Sequence, residues 1–286
     1  MSSNIRLRLV RAALSVALVA VLSGCTAIGS YLPHTLNASA KPVVGDCWTS
    51  TVKTADQAAA WTAGGAVGCA AKHQLLTYAV VAVKSSKSNW RTSDGNLDDG
   101  IATAAYRACD KKFWKAFPEA PDNGRLARYF FVPPTEQWKK GARWVRCDVG
   151  VFKTGSLAED PVFASLPPTV VTLQKQLEST PDVFANCVTT TDPSGDTGPY
   201  DDPDAVIADC TQDYQWRFES DFTFPDEADA PYPTDDAFDA VDQAKCGDAA
   251  DEDGSDWVVY VPTEDQWAAG SRDASCWFLG APKPET

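Results

Sequence analysis

Histidine is nearly absent from this chain: His34 and His73 are the two in 286 residues. So little imidazole excludes zinc sites of mixed Cys/His spacing. It also leaves general-base or triad chemistry resting on His73 alone. No two cysteines form a CxxC pair; the nearest, Cys47 and Cys69, are 22 apart, which removes the dithiol redox motifs. Basic charge is scarce in one half. Residues 161–286 hold 5 Lys and Arg against 27 Asp and Glu, whereas residues 36–160 hold 17 against 12. An acidic half repels nucleic acid and anionic headgroups, so no nucleic-acid partner is expected. For the positive half, the membrane and wall polyanions both stay open as partners.

What is present begins with a leader. Arg6, Arg8 and Arg11 precede AALSVALVAVLSG, an apolar run too short for a comfortable transmembrane span. It runs into Leu22, Ser23, Gly24 and Cys25, which resembles the lipobox of bacterial lipoproteins. The resemblance implies a signal peptide over 1–25, lipidation of Cys25, and a protein held on the extracytoplasmic face of the cell membrane by more than one acyl chain. Residues 26–42 show no helical or strand period and read as a flexible tether.

Eight further cysteines follow, an even number that in an exported chain reads as structural disulfides. They fall into two sets, Cys47, Cys69, Cys109, Cys147 and Cys187, Cys210, Cys246, Cys276. FVPPTEQWKKGARWVRC at 131–147 is answered without a gap by YVPTEDQWAAGSRDASC at 260–276. The sequence around each cysteine recurs in the same order, so the chain reads as a duplication. The expected fold class is α+β, with two tandem homologous, disulfide-stapled domains, each a short, mainly antiparallel sheet with one helix. Copy 1 spans 43–156, a linker 157–182, the acidic copy 2 183–280, and a tail 281–286. TVVTLQKQL within the linker reads as a candidate short helix.

Within copy 1, HQLLTYAVVAV and YFFVP read as strands. DDGIATAAYRACDKKFWKAF reads as a helix capped by Asp98 or Asp99, with Ile101, Ala105 and Ala108 on its apolar face. PTEQWKKG is a helical turn closed by Gly141 in the left-handed conformation. The last strand alternates, with Arg143, Val145, Cys147, Val149 and Val151 on one face; Arg272, Ala274, Cys276 and Phe278 answer them. Four cysteines allow three pairings per unit. We favour 47–69 and 109–147, then 187–210 and 246–276.

The pattern of two spaced cysteines, a Cys-ending helix and VPxxxxWxxGxRxxxC resembles the septum-formation-related domain of bacterial envelope proteins. Trp138, Gly141, Arg143 and Cys147 carry the motif, and Trp267, Gly270, Arg272 and Cys276 repeat it. The resemblance implies an extracytoplasmic domain, often membrane-anchored, with no assigned catalytic activity. Where the family pattern has a Pro-His pair and a carboxylate, this chain has Lys72, His73 and Leu76, and the second copy has Asp213 and Tyr214.

Other candidates weigh less. His73 is expected in packing or on the surface. Arg143 and Arg272 are expected to bond turn carbonyls or a carboxylate and to stack on the Trp five residues earlier. DEDGSDW at 251–257 fails the calcium-loop rule at Ala249 and Tyr260. Asp201 and Asp202 sit in one loop without a held separation. Trp61, Trp90 and Trp114 are the expected surface aromatics, available to glycan or protein. No cofactor and no metal are expected. The chain thus reads as a non-catalytic envelope protein that binds or scaffolds division proteins, other envelope proteins or wall polymers. A wall-polymer hydrolase and a solute-binding lipoprotein are the rivals.

Overall fold

Two antiparallel sheets are built around the cysteine-bearing strands. We describe them from a computed structural model covering residues 41–57, 65–121, 124–192, 197–225, 230–248, 250, 255–268 and 270–280. Cys25 and its leader, His34, Trp61, Ala249, residues 251–254 and the tail 281–286 lie outside the described residues. Among the described residues, no helix is long and apolar enough to cross a membrane.

The first sheet holds β1 (Cys47–Thr49), β2 (Gly65–Val67), β3 (Leu75–Ala82), β4 (Leu126–Phe131) and β5 (Trp144–Val151), in the order β2-β1-β3-β5-β4. The second holds β6 (Gly155–Ser156), β7 (Cys187–Thr189), β8 (Val206–Ala208), β9 (Trp216–Thr223), β10 (Trp257–Tyr260) and β11 (Asp273–Leu279). Read from its β6 edge, that sheet runs β6-β8-β7-β9-β11-β10. With β6 set aside, the strand order of the first sheet is repeated. The register agrees too: Cys47 pairs with Leu76 and Trp48 with Leu75, as Cys187 pairs with Arg217 and Val188 with Trp216.

Among the described residues six α-helices accompany the sheets: α1 (Val52–Gln57), α2 (Asp99–Ala116), α3 (Thr135–Lys139), α4 (Val170–Ser179), α5 (Asp235–Asp242) and α6 (Glu264–Ala268). Asp98 caps α2 by accepting from the Ile101 N–H at 3.2 Å. The buried stripe of α2 runs through Ile101, Ala105, Cys109 and Phe113, a spacing of four that puts Cys109, rather than the expected Ala108, on the sheet. Its counterpart α5 is eight residues long and buries Phe238. It passes into a π-helical turn, Gln243–Gly247, which carries Cys246.

The bridges are Cys47–Cys69, Cys109–Cys147, Cys187–Cys210 and Cys246–Cys276, the pairs favoured from the sequence. In each sheet one bridge ties the first strand to the turn before the long hairpin strand. The other ties the helix to the last strand.

The segment expected as a linker is packed. Phe163 and Leu166 are buried against the first sheet, and Leu173 and Leu177 of α4 join the core that holds Cys109 and Cys147. Its prolines end helices and shape turns, but the apolar residues between them find a sheet to cover. The last residues before that segment join the other sheet. Gly155 and Ser156 pair with Ile207 and Val206, so β6 extends the second sheet.

Both faces of the first sheet are therefore covered. Val145, Cys147, Val149 and Val151 meet α2 and α4, as the alternation implied. Trp144 packs on the opposite face with Trp48, Phe131 and Phe163. Arg146 and Asp148, of the same alternating set, are buried as well. At Gly150 a β-carbon would come within 2.8 Å of the Phe163 ring, so glycine there lets the covering segment close.

Candidate functional site

The repeated motif is built the same way twice. Trp138 and Trp267 are buried, and each donates its indole N–H at 2.9 Å to a carbonyl of the loop before the helix, Lys87 O and Ala230 O. Gly141 and Gly270 take φ of 94° and 93°, the left-handed geometry that ends α3 and α6. The Arg143 guanidinium lies 4.2 Å from the Trp138 ring centre and donates to Trp138 O and Ala142 O at 2.8 Å. It also donates to Ser85 O and Lys87 O. Arg272 lies 3.7 Å over the Trp267 ring and donates to Trp267 O and Ser271 O. These arginines fasten a turn to a strand.

His73 is 1% exposed. Its Nδ1 lies 2.9 Å from Ala71 O and its Nε2 3.1 Å from Pro167 O. Both ring nitrogens thus meet backbone carbonyls, which positions the ring to hold the 166–168 segment onto the start of β3. Asp201 and Asp202 diverge. Asp201 accepts from the Tyr260 hydroxyl at 3.0 Å. Asp202 is buried and accepts from the Thr191 N–H (2.5 Å), the Thr191 hydroxyl (2.8 Å) and the Asp204 N–H (2.8 Å). Those bonds hold its carboxyl below the usual carboxylate range. Among the described residues, no group of three or more His, Cys, Asp or Glu is placed to hold a metal ion.

Trp90, expected on the surface, is fully buried. Arg91 stacks 4.3 Å over its ring, and Asp98 N–H bonds to its carbonyl, which draws the loop before α2 into the core. Trp114 is half-buried and lines a cleft of about 250 Å³ between the two sheets. Arg128 enters from the first side, paired with Asp110 at 2.5 Å and 5.4 Å from the Trp114 ring centre. Tyr200, Phe218 and Asp221 enter from the second.

Two further clefts adjoin it. One of about 570 Å³ shares Gly124 and Asn186 with the first. A groove of about 1010 Å³ shares Lys153, Asp160, Pro161 and Val162 with the second. The first two lie along the junction of the sheets, and the groove continues from the second over residues 49–54, 65–74 and 153–165 of the first side. At the junction Arg125 donates its backbone N–H to Phe184 O and its guanidinium to Phe152 O, both at 2.7 Å, and to Val183 O. A β-carbon at Gly124 would meet Phe184 O at 2.4 Å, so glycine allows this approach.

One element left no mark in the sequence. Arg146 and Asp148 are completely buried, with Arg146 Nε 2.8 Å from Asp148 Oδ2. The guanidinium lies 3.7 Å from the Trp48 ring centre and 4.3 Å from that of Phe131. The Trp48 indole donates to the Thr77 hydroxyl (2.9 Å), which donates to Asp148 Oδ1 (2.8 Å). Burial pushes the Asp148 carboxyl above its ordinary range, against the pull of Arg146 and then of Thr77.

The geometry defines a disulfide-stapled α+β protein whose conspicuous side chains serve the frame, with its open surface along the junction. The model of the family described as Septum formation matches residues 44–276, and the chain belongs to that family. No curated protein and no solved structure matches it.

Proposed function

We propose that this chain is a non-catalytic, lipid-anchored envelope protein, made of two tandem copies of one domain, that binds or scaffolds partners during septum formation or wall synthesis. Membership of the septum formation family supports the septum-related role. The repeated strand order, bridge pattern and Trp–Arg clamp support duplication of one domain.

The observation that carries the non-catalytic reading is the placement of His73. A general base must reach the proton it abstracts; here both ring nitrogens face carbonyls. The adjoining clefts offer an extended surface for an envelope protein or a wall polymer. Acyl chains on Cys25, at the end of the leader, are the anchor this reading requires.

Cross-linking in living cells from the acidic loops near Asp201 and Asp235 tests the proposal. Capture of division or wall-synthesis proteins is expected. Wall digestion by the purified chain, abolished by His73→Ala, would instead establish the hydrolase. Labelled palmitate incorporated by the wild type and lost with Cys25→Ser is the expected result for the anchor.

A further inference from the structure

We infer that the large groove beside β1 and α1 is a binding site for an oxyanion, a phosphate or carboxylate group carried by an envelope polymer or a lipid headgroup. The inference is independent of the septum role, and its failure would leave that role untouched.

The first observation is charge. The chain carries a formal net charge of −14, yet Lys53, Lys72 and Lys153 line this groove against one acid, Asp160, among its described lining residues. All three lysines are exposed. Cations converging on a concave wall raise the local concentration of anions even where the whole molecule repels them. Thr51 and Thr54 add hydroxyls to the same wall. The Thr51 hydroxyl is committed to the start of α1, accepting from the Thr54 N–H at 3.1 Å and donating to Thr54 Oγ1 at 2.8 Å, which leaves the Thr54 hydroxyl a proton to pass outward.

The second observation is internal to the molecule. Thr51 stands four residues after Cys47, and Thr191 four after Cys187. The preceding residues make the same bond: Ser50 N–H donates to Gln74 Oε1 (3.2 Å) and Thr190 N–H to Gln215 Oε1 (3.0 Å). The two threonines therefore leave equivalent strands at equivalent points. In the second half the backbone N–H and hydroxyl of Thr191 both donate to the carboxylate of Asp202. That carboxylate comes from the β7–β8 connection, residues 190–205, which holds Asp192, Asp196, Asp201, Asp202 and Asp204. The β1–β2 connection, residues 50–64, holds one acid, Asp56.

A third observation fits. The residue three after the second cysteine is Lys72 in the first half and Asp213 in the second. The half with a resident carboxylate has an acid there; the half that lines the open groove has a lysine. Asp202 thus shows that this corner of the fold holds an oxyanion; with the Thr51 hydroxyl committed to α1, the first half takes such a group from outside through the Thr54 hydroxyl and the lysines.

The test uses the full chain in a neutral detergent, at low salt, with binding read by calorimetry. Four probes are titrated: poly(glycerol phosphate), glycerophosphoglycerol as a headgroup analogue, inorganic phosphate and acetate. We expect binding that weakens as salt rises. It should weaken about tenfold in Lys72→Glu/Lys153→Glu and about threefold in Thr54→Val. Lys175→Glu, on the exposed face of α4, should leave it unchanged, and circular dichroism should match across the set. Preference for the polymer assigns the group to the wall, and preference for the headgroup analogue assigns it to lipid. Comparable binding of phosphate and acetate makes the oxyanion itself the ligand. Failure of every probe to bind, or undiminished binding by Lys72→Glu/Lys153→Glu, overturns the inference.

Discussion

The two sheets share a strand order and a bridge pattern but fill the face away from their long helices with opposite chemistry. The first sheet places a buried ion pair there, Arg146 with Asp148, tied through Thr77 to Trp48. In the second, the residues one before and one after the last cysteine are Ser275 and Trp277, and Val188 stands where Trp48 does. Trp277 is buried among Val188 and Trp216, with Phe218 and Tyr200 edge-on at 5.4 and 5.5 Å. One backbone frame tolerates either solution because the bridges and the Trp–Arg clamp, common to both, fix the strands independently of that face. A buried pair of charges offsets its desolvation only when both partners are present. An aromatic cluster carries no such condition, since its members contribute largely through separate areas.

The sharpest way to break this comparison is to remove one charge. Asp148→Ala removes the buried carboxylate paired with Arg146 and should cost about 3–5 kcal/mol in denaturant unfolding. Replacing both, Arg146→Met with Asp148→Leu, should recover most of that loss. Nothing equivalent is expected for Ser275→Ala in the second sheet.

Next come the helix bridges. Cys109–Cys147 and Cys246–Cys276 close spans of 38 and 30 residues. Loop closure assigns them similar terms, about 3–4 kcal/mol each. The remaining packing is unequal, since α2 still buries Ile101, Ala105 and Phe113 whereas α5 buries Phe238. Loss of Cys246–Cys276 by serine substitution should therefore expose residues 235–248 to hydrogen exchange, while α2 stays protected when its own bridge is removed.

The clamps should respond alike. Arg143→Lys and Arg272→Lys each lose a planar fork bonded to carbonyls and stacked on a Trp, worth about 2 kcal/mol. A large inequality between them would show that the two turns are not equivalent.

The smallest expected effect is at Asp242, near the end of α5. Burial, then Asp239, raises its carboxyl from the ordinary 3.8 to about 6. Its folded pKa lies above the unfolded one, so its contribution to stability is intact below about pH 4 and is lost as pH rises through 6. Partial exposure screens the effect to about 1 kcal/mol. Asp242→Asn should raise stability at pH 7 by that amount and flatten the pH dependence between 4 and 6.

The two sets of four cysteines and the Trp–Gly–Arg turns were legible because they are written as fixed spacings, and spacing survives whatever surrounds it. Which cysteine meets which was one choice among three per set. Arg146 and Asp148 were not legible. Nothing in the sequence singles them out, since a charged residue beside a strand's apolar set is the ordinary pattern of a half-buried strand. They are dry because Phe163 and its neighbours cover that face, and those neighbours lie among prolines that read as a linker. Local composition carries no sign of which sheet a proline-rich segment will cover. Trp90 was missed for a related reason, since the loop that bears it is drawn inward by contacts distant in sequence. The junction clefts and the basic groove depend on how segments meet, and composition gave only the charge imbalance between the halves.

β6 has its own consequence. Two residues from the first half form the border of the second sheet, and Leu157 N–H continues the pairing to Ala205 O. A gene fragment that starts after residue 157 would therefore expose the raw margin of β8, where another chain can add a strand. Isolated halves should for that reason self-associate or precipitate, and a division point placed before Gly155 is the one that keeps the second half's border sealed.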